Sequence, residues 1–177
     1  DMVLLDNVSA AHELTEHLVA NGYRRIAGLF GDASATGPER RRGFQEALAS
    51  HGLSPFAVEF VAPRITAGRE AASALLDRPE RPDAIFTSNS LLMAGTYEAL
   101  RERRIKVPDE IALAGFDVTE WSGFVDPPIT VIAQPTEELG RIATELLFQR
   151  ISDPNRPAQT VVLKGSLLMR GSSAMKK

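Results

Sequence analysis

Short apolar runs alternate with longer amphipathic ones along most of the chain. Residues 2–6, "MVLLD", read as a strand. Val8 to Ala20 place Ala11, Leu14, Leu18 and Val19 at helical spacing before an Asn21-Gly22 stop. "RIAGLFG" (25–31) is the next strand-like run. The loop "DASATG" follows, Pro38 takes a first-turn position that helices favour, and Phe44, Ala47 and Leu48 give that helix an apolar face ending at His51-Gly52. The plan repeats in "AVEFVA" (57–62) with a helix from about Thr66 to Leu76, in "DAIFTS" (83–88) with a helix over roughly 90–103, and in "EIALAGF" (110–116). Strands that are near-continuously apolar, in strict alternation with helices, predict an α/β fold: an open, doubly wound parallel sheet with helices on both faces.

After Asp117 the rhythm changes. The two prolines of "DPPIT" (126–130) remove backbone donors, so this stretch is not the interior of a central strand. A helix over 136–151 runs through Leu139, Ile142, Ala143, Leu146 and Leu147, and "TVVLKGSLLMR" (160–170) is strand-like with a bend or bulge at Gly165. A boundary near 126–134 fits this shift, and the tail "GSSAMKK" is expected to be disordered. No internal repeat or low-complexity tract is visible.

The bulk numbers narrow the function classes. With 44% hydrophobic and 24% charged residues the chain has an ordinary globular balance. A net charge of −3 argues against this segment alone gripping a polyanion, which needs concentrated Lys and Arg. The absence of cysteine removes disulfides and thiolate metal sites, and fits a reducing cytoplasm. No stretch reads as a spanning helix or a signal peptide. The chain opens on Asp1, straight into an apolar run, and reads as a piece of something longer.

Chemistry-bearing motifs are few. "HELTEH" (12–17) has its histidines five apart, about 140° round a helix of ~3.6 residues per turn, so the zinc-protease arrangement of two ligands four apart is not met. Solvent-facing His and Glu in i,i+4 contact is the better reading. "GLFGDASATG" is neither phosphate-loop pattern, but it lies at the carboxyl end of a parallel strand, where such sheets bind ligands. No nucleophile–base pair emerges, so neither catalytic residues, metal nor cofactor are expected. "ERRRGF" (39–44) sets three arginines at a helix start, where cations are disfavoured without some offsetting partner. Asn89, after "AIFTS", and Asp117, after "IALAGF", hold equivalent places at the ends of their strands, where each could equally be a cap or turn residue. Together, arginine, amide and carboxylate at one sheet edge have the profile of a site for a small polar ligand.

The motifs "LLDNVSAAHELTEHLVANGYRRIAGLFG", "RRRGFQEAL", "RPDAIFTSN", "VPDEIALAGFD", "PPITVIAQP" and "ELGRIATELL" resemble, in order and nearly in spacing, the lactose-repressor/galactose-repressor family of transcription regulators. The resemblance covers essentially the whole chain. It implies a type I periplasmic-binding-protein-like effector domain of two α/β subdomains with ligand between them. By that likeness, residues 1–133 are the second subdomain, 134–159 the return into the first subdomain, and 160–177 the final crossover strand and tail. The family's helix-turn-helix domain and most of its first subdomain do not occur in this sequence. Carried over by motif, Arg40 matches the arginine that grips effector hydroxyls or carboxylate, Asn89 the asparagine of an "ND" pair, and Asp117 the first acid of "GFDD". Gln134 falls at a crossover where some relatives contact ligand. Ser90 and Val118 replace the second acid of each pair, and Pro63 stands near where relatives place a stacking aromatic, so Trp121 is either the alternative ring or a residue of core packing or dimer contact.

The resemblance thus implies a cytoplasmic homodimer that binds a small effector, such as a sugar, and operator DNA through a segment not in this sequence. A periplasmic sugar-binding protein of an uptake system shares the fold and is the main alternative. An enzyme on the same scaffold is the third, against which the missing nucleophile–base pair speaks.

Overall fold

In the computed structural model, which describes residues 1–33 and 35–176, β1 (Met2–Leu5) runs into Asp6. The Asp6 carboxylate accepts the Ser9 N–H and so starts α1 (Asn7–Ala20). The strand–helix alternation continues through β2 (Ile26–Gly31), α2 (Thr36–Ser50), β3 (Ala57–Val61), α3 (Ile65–Leu76), β4 (Ala84–Thr87), α4 (Ser90–Glu102) and β5 (Ala112–Phe116). A short helix, α5 (Glu120–Phe124), leads to β6 (Thr130–Ala133), α6 (Thr136–Ser152), β7 (Thr160–Leu163), β8 (Ser166–Leu168) and a 3-10 turn at Gly171–Ser173. Ser34 of the "DASATG" loop and Lys177 of the tail lie outside the described residues.

The strands form a six-stranded sheet in the order β3-β2-β4-β5-β6-β8, parallel except that β8 runs antiparallel to β6. Side chains alternate across it, as a pleated strand requires. Ile26, Phe30, Phe86, Ala114 and Phe116 pack with Leu14, Leu18, Phe44 and Leu48 of α1 and α2. Leu29, Ile85 and Leu113 face the other way, onto Leu75, Leu76, Leu92 and Leu100 of α3 and α4. β2, β4 and β5 are buried throughout, which explains their unbroken apolar reading. The expected doubly wound α/β architecture is observed.

Three expectations are corrected. Residues 2–5 do not head the main sheet: β1 pairs in parallel with β7 in a separate two-stranded sheet, against which α6 packs. "TVVLKGSLLMR" is two strands in different sheets, with the change of sheet at Lys164-Gly165. The tail "GSSAMKK" is ordered as far as Lys176: Ser172 and Ser173 are buried, and the Tyr23 hydroxyl donates to the Ala174 carbonyl. Lys176 pairs with buried Asp83 at 2.8 Å. Sequence reading also missed β6, because the prolines of "DPPIT" stop just short of it and four residues are too few to show a period.

His12 and Glu16 are in i,i+4 contact as expected, at 3.9 Å. Glu16 also reaches His51 at 2.8 Å. His17 departs from the surface placement: it is half-buried, with Nε2 2.8 Å from the Ser173 hydroxyl.

Candidate functional site

The carboxyl ends of β2, β4 and β5 carry Gly31, Ser88-Asn89 and Asp117. Because β3 and β4 lie on opposite sides of β2, this edge includes the switch point where open α/β sheets leave a crevice. Arg40 enters it from the second turn of α2 and is only 4% exposed. Its Nε donates to Asn7 Oδ1 at 2.8 Å, its Nη1 donates to the Ser88 carbonyl, and its guanidinium lies 3.9 Å from the centroid of the Phe116 ring. Burial lowers the Arg40 pKa to about 10, against the opposing pull of the Asp117 and Glu39 carboxylates, so the group stays charged at neutral pH. The offsetting partners expected for an arginine near a helix start are thus an amide, a carbonyl and an aromatic face.

Asp117 leaves β5 with φ 77, a left-handed conformation that Asp and Asn tolerate better than most residues. Its Oδ2 accepts the Ser90 N–H at 3.1 Å, and its Oδ1 accepts a hydrogen bond from Gln134. Asn89 caps α4, its Oδ1 accepting the Leu92 N–H at 3.0 Å. The replacement of the second acid by Ser90 therefore keeps a backbone link to Asp117, and helix capping at this strand end falls to Asn89.

The structure links Arg40, Asn89, Asp117 and Gln134 along one edge: Arg40 to Ser88, Ser90 to Asp117, Asp117 to Gln134. Arg40 Nη2, Asn89 Nδ2 and Gln134 Oε1 make no hydrogen bond among the described residues. The Asp117 oxygens keep lone pairs beyond the two bonds they accept. Donors and acceptors thus alternate along the edge. Trp121 is not brought into this line; its ring lies on α5 and packs 5.7 Å from Tyr97, against the core cluster of α3 and α4. Pro63 lies beside Gly31, where a Cβ would sit 3.7 Å from the Pro63 Cβ.

Sequence reading missed three residues that shape the site. Asn7 and the Ser88 carbonyl hold Arg40, and Phe116 supplies the surface on which its guanidinium lies. Phe116 ends a column of rings running through Phe30, Phe44 and Phe86 at centroid separations of 5.2–6.0 Å. No linear spacing signals this, because strand register sets it. Among the described residues no group of three or more His, Cys, Asp or Glu could hold a metal ion.

A doubly wound sheet with polar groups along its carboxyl edge and chain crossings to a second sheet is the architecture of type I periplasmic-binding-protein-like domains. The profile of the periplasmic binding protein-like domain matches residues 15–173. The chain belongs to the periplasmic-binding-protein-like domains of the lactose-repressor (LacI) family of transcription regulators. It is 34% identical over 177 residues to the ribose operon repressor of Escherichia coli, matching 98% of this chain and 53% of that protein. It superposes on a CelR–cellobiose complex with TM-score 0.90 at 32% identity, over 96% of this chain and 53% of the other. A LacI family regulator from Enterococcus faecium with bound ribose gives TM-score 0.90 at 26% identity, over 100% of this chain and 66% of that one. The chain spans about half the length of the curated relatives it matches.

Proposed function

We propose that the chain is the larger part of the effector-binding region of a LacI-type regulator, and that its effector is a sugar or similarly hydroxylated metabolite. The carrying observation is the row of groups left available at the carboxyl edge of the sheet: Arg40 Nη2 and Asn89 Nδ2 as donors, Asp117 and Gln134 as acceptors. Vicinal hydroxyls donate and accept at once, and such a row answers both halves. Arg40 and Asp117 add charge-assisted bonds, the stronger kind. In this reading residues 134–159 belong to the other subdomain, and Gln134, which begins that crossing, ties Asp117 to the junction.

An effector acts only through its differential affinity for two arrangements of the subdomains. Closure that alters operator binding, by a homodimer in the cytoplasm with a DNA-reading segment outside this chain, completes the proposal. Its relatives include a ribose operon repressor and a transcriptional regulator, and catalysis forms no part of the reading.

Calorimetric titration of the full-length protein with D-ribose, cellobiose and a panel of nucleobases tests it, with operator affinity measured with and without the ligand found. Asp117→Ala should weaken binding at least about tenfold, from ~1.5–3 kcal/mol for a hydrogen bond to a charged group. Unchanged affinity in that variant would remove Asp117 from the site. A sugar that binds tightly yet leaves operator affinity untouched would favour the uptake-protein alternative.

A further inference from the structure

Arg40 carries three anchors, and one of them comes from an unexpected place. The Ser88 carbonyl and the Phe116 ring belong to the main sheet and its connections. Asn7 belongs to the chain's first crossing: Leu5 ends β1, in the two-stranded sheet, and Asn7 opens α1, which packs on the six-stranded one. Asn7 is 5% exposed, and each side of its amide is committed. Nδ2 donates to Glu39 Oε2 at 2.8 Å and to the Leu5 carbonyl at 3.3 Å, while Oδ1 accepts from Arg40 Nε at 2.8 Å. The amide has one tenable orientation. Flipped, its NH2 would face the Arg40 N–H and its oxygen would face the Glu39 carboxylate.

Resting on the reading that Arg40 and Asp117 grip the effector, we propose that Asn7 is a positioning residue that fixes the Arg40 guanidinium and ties it to the first crossing between the two sheets. Arginine is a long, rotatable side chain, and bidentate recognition requires its fork to be held within about 0.5 Å. With Nε held by Asn7 and one N–H of Nη1 by Ser88, the Nη2 amine makes no bond within the protein and is left to meet a ligand, its direction fixed by the other two. Gln134 does the matching work at the second crossing, where it donates to Asp117. Both charged groups of the site are thus bonded to residues at which the chain passes between sheets. A rotation at either crossing displaces the anchor of one of them. Ligand affinity and subdomain arrangement are coupled through two named hydrogen bonds, with no longer relay required.

Two readouts test this on the full-length protein. The first needs no ligand: the Arg40 Nε–H resonance should be resolved and slow to exchange in the unmodified protein. It should exchange with solvent in Asn7→Ala. The paired change Asn7→Asp with Glu39→Gln reverses the polarity of the Asn7–Glu39 bond, keeps an acceptor for Nε and preserves net charge, so it should restore the protected signal. This pair keeps the test decisive should Asn7→Ala fold poorly. An Arg40 Nε–H that stays protected in Asn7→Ala overturns the proposal.

The second readout is D-ribose affinity by calorimetry. Asn7→Ala should weaken it about tenfold, the paired change should bring it back to within roughly threefold, and Asn7→Ala should have less than about a twofold effect when Arg40→Lys is already present. Equal losses in both backgrounds would mean Asn7 does not act through Arg40. If Arg40→Lys leaves D-ribose affinity unchanged, the effector-site reading fails instead, while the Nε–H signal still decides what Asn7 does.

Discussion

Arg40 and Asp117 illustrate how much chemistry one position can carry. Arg40 is buried among Phe116, Ser88 and Asn7, and truncation to Met would leave the Asn7 Oδ1 and the Ser88 carbonyl without their donor. Each orphaned buried acceptor costs ~1–3 kcal/mol, so Arg40→Met should lower the denaturation free energy by about 2 kcal/mol or more even without ligand. A chemical denaturation midpoint equal to that of the unmodified protein would contradict this. For Asp117, the φ of 77 separates backbone from charge. Asp117→Asn tolerates that conformation and should stay within about 1 kcal/mol of the original stability, whereas Asp117→Ala should lose more. His17 adds a pH dependence. The Ser173 hydroxyl donates to Thr130 Oγ1, so His17 Nε2 is the donor to Ser173, and burial lowers the His17 pKa below 6.5. Between that lowered value and 6.5 the unfolded chain holds a proton that the folded one does not. Stability therefore rises with pH through this window and is lost on acidification. His17→Gln should flatten that part of a pH–stability profile, and an unaltered slope would remove His17 as its source. Asn89, Asp117 and Gln134 were legible because each stands where an apolar run ends, and Arg40 because it sits in an arginine cluster at a helix start. Asn7 was not, because its partner Glu39 is 32 positions away and only packing of α1 on α2 brings them together.

Among the elements, α3 and α4 approach closely because Gly95 has no side chain: a Cβ there would overlap the Ile65 carbonyl. Gly95→Ala should cost about 1–3 kcal/mol as the helices are forced apart. Gly140, in exposed α6, has nothing within 4 Å of its would-be Cβ, and Gly140→Ala should stabilise by roughly 0.5–1 kcal/mol. Paired thermal melts check both, and equal shifts would refute the contrast. The five longer helices were legible from their 3.6-residue apolar spacing and their stops, whereas five-residue α5 was not. β6 and the β7–β8 break were not, since runs of three or four residues carry no period and their sheet membership depends on partners far along the chain. The tail failed differently. "GSSAMKK" has the polar composition of a loose end, but Ser172 donates to the Leu113 carbonyl and accepts the Thr130 N–H. Ending the chain at Arg170 would strand these groups and take the Lys176 ion pair from buried Asp83, which keeps the Arg24 and Arg25 N–H bonds, costing roughly 3 kcal/mol and about 6–12 °C in Tm. Loss of less than about 1 kcal/mol would show the tail to be passive.

Over the whole molecule, burial is unevenly shared. β2, β4 and β5 are fully enclosed, while α6 buries only Leu146 and exposes Leu147, Phe148 and Ile151. A two-stranded sheet is marginal alone, and the one helix packed on it buries a single side chain. In a protein of these 177 residues, the amides of β1, β7 and α6 should exchange with solvent well before those of β2, β4 and β5. Uniform protection would show the smaller sheet to be as stable as the larger. Sequence alone determined the architecture and the family, because strand and helix periodicities and ordered motifs are local and survive without coordinates. The tertiary structure decided which sheet β1 joins, that the tail is bound and that Trp121 packs on Tyr97. It also decided that Arg40 and Asp117 are each bonded to a crossing. Those facts follow from strand register and helix packing between residues up to 158 positions apart, a distance at which no local pattern carries information.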